Sequence, residues 1–198
     1  PKDGTAILNA DDPWCMNLRK RCTCRTVTFG TSESADIRAT DIHADEKGVR
    51  FVTSGRVPVT LGIPGVHNVY NALAAAAVCR RLGMDMKDVA AGLATFAGVP
   101  LRMEILHARG VTIINDAYNA NLGSMGAALE EVRRFKTSGK RHFACGDMLE
   151  LGQESERLHR ELGERIAGSG VDRLWLFGKA VEATRDEATA AGLDEKDI

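Results

Sequence analysis

Two different patterns of apolar and polar positions divide the chain. Between Thr5 and about Thr60, short apolar runs alternate with turn sequences such as Glu46-Lys47-Gly48, which is typical of short strands. An Asp11-Asp12-Pro13 sequence predicts a helix start, with either aspartate as the N-cap and the proline in the first turn. The predicted strands are Thr5–Asn9, Thr26–Phe29, Ile37–Ile42, Val49–Thr53 and Val57–Leu61. Short connections between the later strands indicate an antiparallel meander.

Two helices are predicted to follow these strands. The stretch from His67 to Leu82 is rich in alanine, has apolar residues at helical spacing and ends at Gly83. Asp85 is the predicted N-cap of the second helix, which stops before Pro100 because the residue preceding a proline disfavours the helical conformation.

After Arg102 the pattern changes to units of strand, loop and helix. The strands are Val111–Ile114, His142–Cys145 and Leu174–Phe177, and the helices are Ser124–Phe135, Leu158–Ile166 and Val181–Ala190. Such alternation predicts βαβ units and a mainly parallel sheet, and therefore an α/β fold. We place the predicted domain boundary between residues 107 and 108.

Composition narrows the class of protein. Hydrophobic residues make up 44% of the 198 and charged residues 27%, which is the balance of a globular protein. A net charge of -1 gives no support for nucleic acid as a partner, and the apolar runs are too short for membrane insertion. Cys22 and Cys24 lack the second pair that a structural zinc site needs, so we expect no metal site there and reduced thiols in a cytoplasmic protein.

Polar segments follow all three predicted strands of the second half. They are Asn115–Asn121, Gly146–Gly152 and Gly178-Lys179. In open α/β sheets, ligands bind beyond the carboxyl ends of the strands, so these segments form the predicted site. Asp116 offers two acceptor oxygens to a diol such as ribose, or is a helix N-cap. Tyr118, Asn119 and Asn121 suit the amides and carboxylates of a peptide-like substrate, although an Asx-turn loop is the better explanation of this segment taken alone.

Two further groups of side chains are candidates. Asn68 and Asn71 lie three positions apart, so their amides share one face of the helix start and match the edge of adenine. The alternative is that Asn68 caps the helix and Asn71 is solvated. Arg102 lies near the predicted domain boundary, where it is either a phosphate clamp or a surface residue.

Four ordered strings resemble the Mur ligase family. They are Gly65-Val-His-Asn-Val-Tyr-Asn71, Arg102, Ile114-Asn-Asp-Ala-Tyr-Asn-Ala-Asn121 and Gly146-Asp-Met-Leu-Glu-Leu-Gly152, and Thr5–Pro13 adds to the likeness. The resemblance implies that residues 1–107 are the second half of a central ATP-binding domain. Residues 108–198 would then be most of a Rossmann-like C-terminal domain, truncated at its end.

The resemblance also implies roles for individual residues. Asn68 and Asn71 would lie at the adenine of ATP, Arg102 at the phosphates and Asp116 at the ribose. The substrate-binding residues would be His67, Tyr118, Asn119, Asn121, Asp147 and Glu150. The last two strings favour the branch of the family that joins D-alanyl-D-alanine to UDP-MurNAc-tripeptide through an acyl phosphate, in the synthesis of peptidoglycan precursors.

Two departures from the family pattern limit this expectation. Asn121 is followed by Leu122-Gly123, where the family string continues with proline. The sequence also contains no Gly-x-x-x-x-Gly-Lys-Thr/Ser phosphate loop, and it lacks the family's Mg²⁺-binding glutamate. We therefore expect these residues to be a fragment of a longer enzyme that uses ATP and Mg²⁺. The fragment alone is expected to be inactive. The alternatives are another ligase of the superfamily, adding a single amino acid or extending folylpolyglutamate, and a non-catalytic nucleotide-binding module.

Overall fold

The computed structural model describes residues 2–198, and the chain divides into two compact units after Gly98. This division falls earlier than the boundary predicted at residues 107 and 108. The reason is that Glu104–Ala108 pairs with Val111–Asn115, so both segments belong to the second unit.

The first unit contains a five-stranded mixed sheet in the order β1-β2-β3-β4-β5. Its strands are β1 (Thr5–Asn9), β2 (Arg25–Gly30), β3 (Ile37–Asp45), β4 (Gly48–Thr53) and β5 (Pro58–Leu61). The pairs β1–β2 and β2–β3 are parallel, whereas β3–β4 and β4–β5 are antiparallel. The predicted meander is thus confirmed for the last three strands.

Three helices complete the first unit: α1 (Pro13–Arg19), α2 (His67–Arg81) and α3 (Met86–Ala94). Asp12, one of the two predicted candidates, is the N-cap of α1, and Asp85 is that of α3, as predicted. One face of α2 is buried and carries Val69 and Leu73, which join a core with apolar residues of β3, β4 and β5. The alanine-rich sequence of α2 lets the helix pack closely, because small side chains keep its axis near the sheet.

The second unit begins with an antiparallel hairpin, β6 (Glu104–Ala108) and β7 (Val111–Asn115). The prediction missed β6, and it was wrong to assign the Val111–Ile114 strand to the same parallel sheet as the two later strands. The connection is Arg109-Gly110, with φ of 51° and 80°. Positive φ at both residues is the geometry of a two-residue hairpin turn, which brings β7 back along β6 instead of beside a later strand.

The rest of the second unit has the predicted α/β character. Strands β8 (His142–Gly146) and β9 (Arg173–Phe177) pair in parallel, as expected for a βαβ unit. The helices are α4 (Leu122–Arg134), α5 (Ser155–Ala167) and α6 (Val181–Ala190), and their buried side chains form one core with β8 and β9. Among residues 2–198, no helix has both the length and the apolar character needed to cross a bilayer.

Candidate functional site

The first turn of α2 holds the two candidate asparagines in contact. The Nδ2 of Asn71 donates to the Oδ1 of Asn68 at 3.1 Å, and the Nδ2 of Asn68 donates to the carbonyl of Pro64 at 2.7 Å. Asn68 is only 8% exposed, whereas Asn71 is exposed. Asn68 is not the N-cap, since that position is Val66, which makes no side-chain cap bond. The two amides therefore share one face. Asn68 is held by its bond to Pro64, and the exposed Asn71 amide is oriented by its bond to Asn68.

His67 is the first residue of α2 and is half-buried. Its ring lies against Gly65, where a Cβ would overlap the imidazole. Gly65 has φ of +100°, a conformation that disfavours other residues. The sequence thus fixes both the entry of the chain into α2 and the position of the His67 ring.

Asp11, which the sequence suggested only as a possible helix cap, supports the start of α2 through hydrogen bonds. The carboxylate of Asp11 accepts hydrogen bonds from the backbone and hydroxyl of Thr31 at 2.6 and 2.7 Å, from the backbone of Ser32 at 3.0 Å and from the hydroxyl of Tyr70 at 3.0 Å. Tyr70 lies in α2 between the two asparagines. One carboxylate therefore joins the end of β1, the end of β2 and the first turns of α2.

The Asp11 carboxylate is strongly biased towards its ionised form. Partial burial acts in the opposite direction and raises its pKa, but the hydrogen bonds from Thr31 and Ser32 outweigh it and hold the pKa well below its usual range. Four donors surround this group, so protonation would remove acceptor capacity that the local fold uses. We conclude that Asp11 is a charged structural centre that joins the ends of β1 and β2 to the first turns of α2.

In the second unit, Arg102 stacks on an aromatic ring. Its guanidinium carbon lies 4.1 Å from the centre of the Tyr118 ring, within the range of a cation–π contact. The backbone also joins these segments, since Tyr118 N donates to the carbonyl of Leu101 at 3.1 Å. Arg102 is thus held over the loop that follows β7, although its charged group stays exposed.

Asp116 comes directly after β7, at the carboxyl end predicted for it. Its Oδ1 accepts from the backbone of Met103 at 3.1 Å, beside Arg102, while its Oδ2 has no partner among residues 2–198. It does not cap α4, because that helix begins several residues later. The structure therefore brings Arg102, Asp116 and Tyr118 together and leaves one carboxylate oxygen of Asp116 free for a hydroxyl donor.

The side chains of the remaining asparagines of this loop form hydrogen bonds with the backbone. Asn121 is the N-cap of α4: its Oδ1 accepts from Ser124 N at 2.9 Å, and the Ser124 hydroxyl accepts from Asn121 N at 3.1 Å. Asn119 is exposed, and its Oδ1 accepts from Ala120 N at 2.9 Å. Leu122 is the first residue of the helix, a position where proline is also well accommodated, so the departure from the family string leaves the loop intact.

The segment after β8 is fixed by two buried or half-buried anchors. Asp147 accepts from Lys179 N at 3.1 Å and from Val181 N at 2.9 Å, so its carboxylate joins this segment to the start of α6. Gly178 has φ of +124°, and a Cβ there would overlap the Asp147 carboxylate. His159, which is fully buried, accepts from Met148 N at 3.0 Å through Nε2.

These anchors present two residues outward. Leu149 is 73% exposed, and Glu150 is exposed with φ of 62°, an uncommon conformation for a residue other than glycine. The roles of Asp147 and His159 in holding this segment were not visible in the sequence, because their partners lie in other elements. Of the predicted substrate residues, Asp147 thus makes its contacts to the backbone, and Glu150 is the carboxylate left at the surface.

Residues 2–198 contain no group of three or more His, Cys, Asp or Glu side chains placed to hold a metal ion.

Comparison with known proteins identifies the family. Residues 1–79 match the Mur ligase middle domain, and residues 101–197 match the glutamate ligase domain of Mur ligases. The chain belongs to the Mur ligase family. It is 38% identical to the UDP-N-acetylmuramoyl-tripeptide–D-alanyl-D-alanine ligase of Escherichia coli, over 98% of this chain and 43% of that protein. The enzyme of the same name from Bacillus subtilis is 37% identical over 90% of this chain and 39% of its own length.

Solved structures give the same result. A crystal structure of MurF from Acinetobacter baumannii matches with a TM-score of 0.87 and 30% identity, over 96% of this chain and 42% of that one. MurF ligase from Thermotoga maritima in complex with ADP matches with a TM-score of 0.80 and 28% identity, over 92% and 42%. The chain thus spans less than half the length of these relatives.

Proposed function

We propose that this chain forms the adenosine-binding and amine-binding part of an ATP-dependent ligase that joins D-alanyl-D-alanine to UDP-MurNAc-tripeptide. The observation that carries the proposal is the group at the end of β7, where Arg102, Asp116 and Tyr118 meet and one Asp116 oxygen is free. The names of the relatives support the choice of reaction, and the ADP bound by the Thermotoga relative supports the choice of nucleotide.

Separate roles are proposed for the candidate residues of each unit. The Asn71 amide would meet the adenine edge, with Asn68 orienting it through the 3.1 Å bond between them. The free oxygen of Asp116 would accept from a ribose hydroxyl. Arg102, held over the Tyr118 ring, would place its guanidinium against the charge of the phosphates.

The chemistry requires an activated acyl group. A carboxylate oxygen of the tripeptide attacks the terminal phosphorus of ATP, the bond to ADP breaks, and an acyl phosphate forms. The amine of D-alanyl-D-alanine then attacks the acyl carbon, loses a proton, and phosphate leaves as the amide bond forms. In our proposal the segment from Tyr118 to Asn121 and Glu150 line the path of the amine within the second unit, while Asp147 contributes by fixing the segment that carries Glu150. His67 is proposed as a substrate-binding residue of the first unit.

The phosphate loop is not among these 198 residues. We propose that residues outside them supply it, together with the Mg²⁺ ligands, in a cytoplasmic enzyme of peptidoglycan precursor synthesis. Phosphoryl transfer depends on positioning and on stabilisation of the transferred charge, so these 198 residues alone are expected to be inactive.

A substrate panel tests this proposal. The ligase that contains this chain is supplied with ATP, UDP-MurNAc-tripeptide and either D-alanyl-D-alanine or a single amino acid, and phosphate release and product mass are measured. We expect turnover with the dipeptide and none above the blank with residues 1–198 alone. Turnover with only a single amino acid would select another ligase of the superfamily, and a parallel reaction with ATP, a folate and glutamate tests for the folate-extending one. Nucleotide binding without turnover on any acceptor would indicate a non-catalytic module.

A further inference from the structure

The short turn that carries Arg102 has an unusual backbone. Leu101 and Met103, on either side of Arg102, have φ of 62° and 50°. Left-handed conformations at residues other than glycine are uncommon, and they persist where surrounding contacts impose them. An isolated bridge between Val99 and Arg102 closes the turn. The direction of the Arg102 side chain is therefore determined by whatever holds this backbone in place.

One carboxylate holds the turn from the β6 side. The Oε2 of Glu104 accepts from Leu101 N at 3.2 Å and from the Asn115 Nδ2 at 3.2 Å. Asn115 is the last residue of β7 and directly precedes Asp116. A single oxygen of Glu104 thus connects the residue before Arg102 to the residue before Asp116.

A second carboxylate holds the other side of the same turn. Asp116 accepts from Met103 N, so the two residues that flank Arg102 are each fixed by an acidic side chain. Within the described part of the chain, the contacts of Glu104 to the turn are hydrogen bonds to neutral groups, and it forms no ion pair with Arg102. The carboxylate therefore acts as a hydrogen-bond acceptor for the turn, and its charge makes no direct contact with the guanidinium.

We propose that Glu104 is a positioning residue for nucleotide binding, which fixes Arg102 and Asp116 relative to each other without touching the nucleotide. This inference rests on the function proposed above. If the Glu104 acceptor is removed, Leu101 N loses its partner and the turn can relax towards right-handed conformations, which redirects Arg102. An amide oxygen at the same position accepts the same two bonds, so glutamine is expected to substitute for glutamate.

A double-mutant cycle in the ligase containing this chain tests the inference, with the KM for ATP, kcat and the melting temperature measured on each variant. We expect Arg102→Ala and Glu104→Ala each to raise the KM for ATP about tenfold, and the double variant to be no worse than Arg102→Ala. Glu104→Gln is expected to stay within about twofold of the parent, because the acceptor remains. Glu130→Ala, which removes an exposed carboxylate paired with Arg133 in the same unit, is the matched control and should leave the KM unchanged.

Asn115→Ala provides a milder second variant, which keeps the inference testable if Glu104→Ala fails to fold. It removes only the bond from Asn115 and is expected to raise the KM for ATP about threefold, and only when Arg102 is present. Effects of Glu104→Ala and Asn115→Ala that persist undiminished when combined with Arg102→Ala would overturn the inference. So would a Glu104→Gln protein as impaired as Glu104→Ala, or an unchanged KM in the Glu104→Ala protein while Arg102→Ala is impaired. An unchanged KM in the Arg102→Ala protein would instead contradict the proposed role of Arg102, and this inference with it.

Discussion

The two units hold their candidate nucleotide-binding residues in different ways. In the first unit, Asn68 and Asn71 lie at the start of a regular helix that is packed in the core, and the ionised Asp11 accepts a hydrogen bond from Tyr70 in the same part of the helix. In the second unit, Arg102 and Asp116 lie on irregular backbone that side-chain hydrogen bonds hold at exposed or half-buried positions. Residues on a packed helix are held in place by the same contacts that form the core. We therefore expect changes near the asparagines to affect stability first, and changes near Arg102 to affect binding first.

The largest expected effect is on the stability of the first unit. Asp11→Ala removes an acceptor of four hydrogen bonds and leaves their donors partly buried, so we expect a loss of about 3 kcal/mol in its free energy of unfolding. Urea unfolding followed by hydrogen exchange, with peptides from each unit analysed separately, measures this loss. Asp3→Ala, which changes an exposed aspartate, is the control. Equal destabilisation of both units by Asp11→Ala would contradict the expectation that Asp11 stabilises the first unit specifically.

The stability that Asp11 contributes should also depend on pH, and this dependence should be smaller than the loss of stability in Asp11→Ala. The folded-state pKa of Asp11 lies below the unfolded value of about 3.9, so its stabilisation is complete above that pH and is lost as the pH falls towards the folded pKa. We expect no change in the difference between the parent and Asp11→Asn from pH 7 to pH 5, and a narrowing of the difference below about pH 4. Asp36, whose pKa is also lowered, titrates in both proteins and cancels in the comparison. A difference that stays constant down to about pH 2 would show that the charge of Asp11 is unimportant.

The smallest effect is expected at the aromatic ring under Arg102. Tyr118→Leu removes the cation–π contact, which is worth about 0.5–1 kcal/mol at an exposed site, so the KM for ATP should rise about two- to fivefold. Tyr118→Phe keeps the ring face and should behave like the parent. Stability should be unchanged in both variants, because the ring is 62% exposed. If the phenylalanine variant is also impaired, the hydroxyl and not the ring face of Tyr118 is the important group.

Local signals in the sequence predicted most elements, and contacts between distant residues account for what was missed. Asp12 and Asp85 were recognisable as caps, because a cap contacts its own helix. Asp11 was not recognised as a structural centre, since its partners Thr31 and Tyr70 lie 20 and 59 positions away.

The missed strand β6 is largely exposed and shows no clean alternation, and its one local signal was the two-residue turn Arg109-Gly110. The position of Asp116 at a strand end was predictable because β7 itself was predicted, although the pairing of that strand was not. Its bond to Met103 was not predictable, because it depends on a left-handed backbone conformation that no local sequence pattern indicates.

The most direct test of this account makes the same near-isosteric change, aspartate to asparagine, once in each unit. The KM for ATP and the stability of each unit are measured for Asp11→Asn and Asp116→Asn in the ligase containing this chain. An asparagine at 116 can still accept from Met103 N but loses the charge and the free oxygen, so we expect kcat/KM for ATP to fall about tenfold to a hundredfold with stability unchanged. Asp11→Asn should instead destabilise the first unit while kcat/KM for ATP, measured well below the melting temperature, stays close to that of the parent. An unchanged KM for ATP with lowered stability in the Asp116→Asn protein would show that Asp116 is part of the scaffold and not of a nucleotide site.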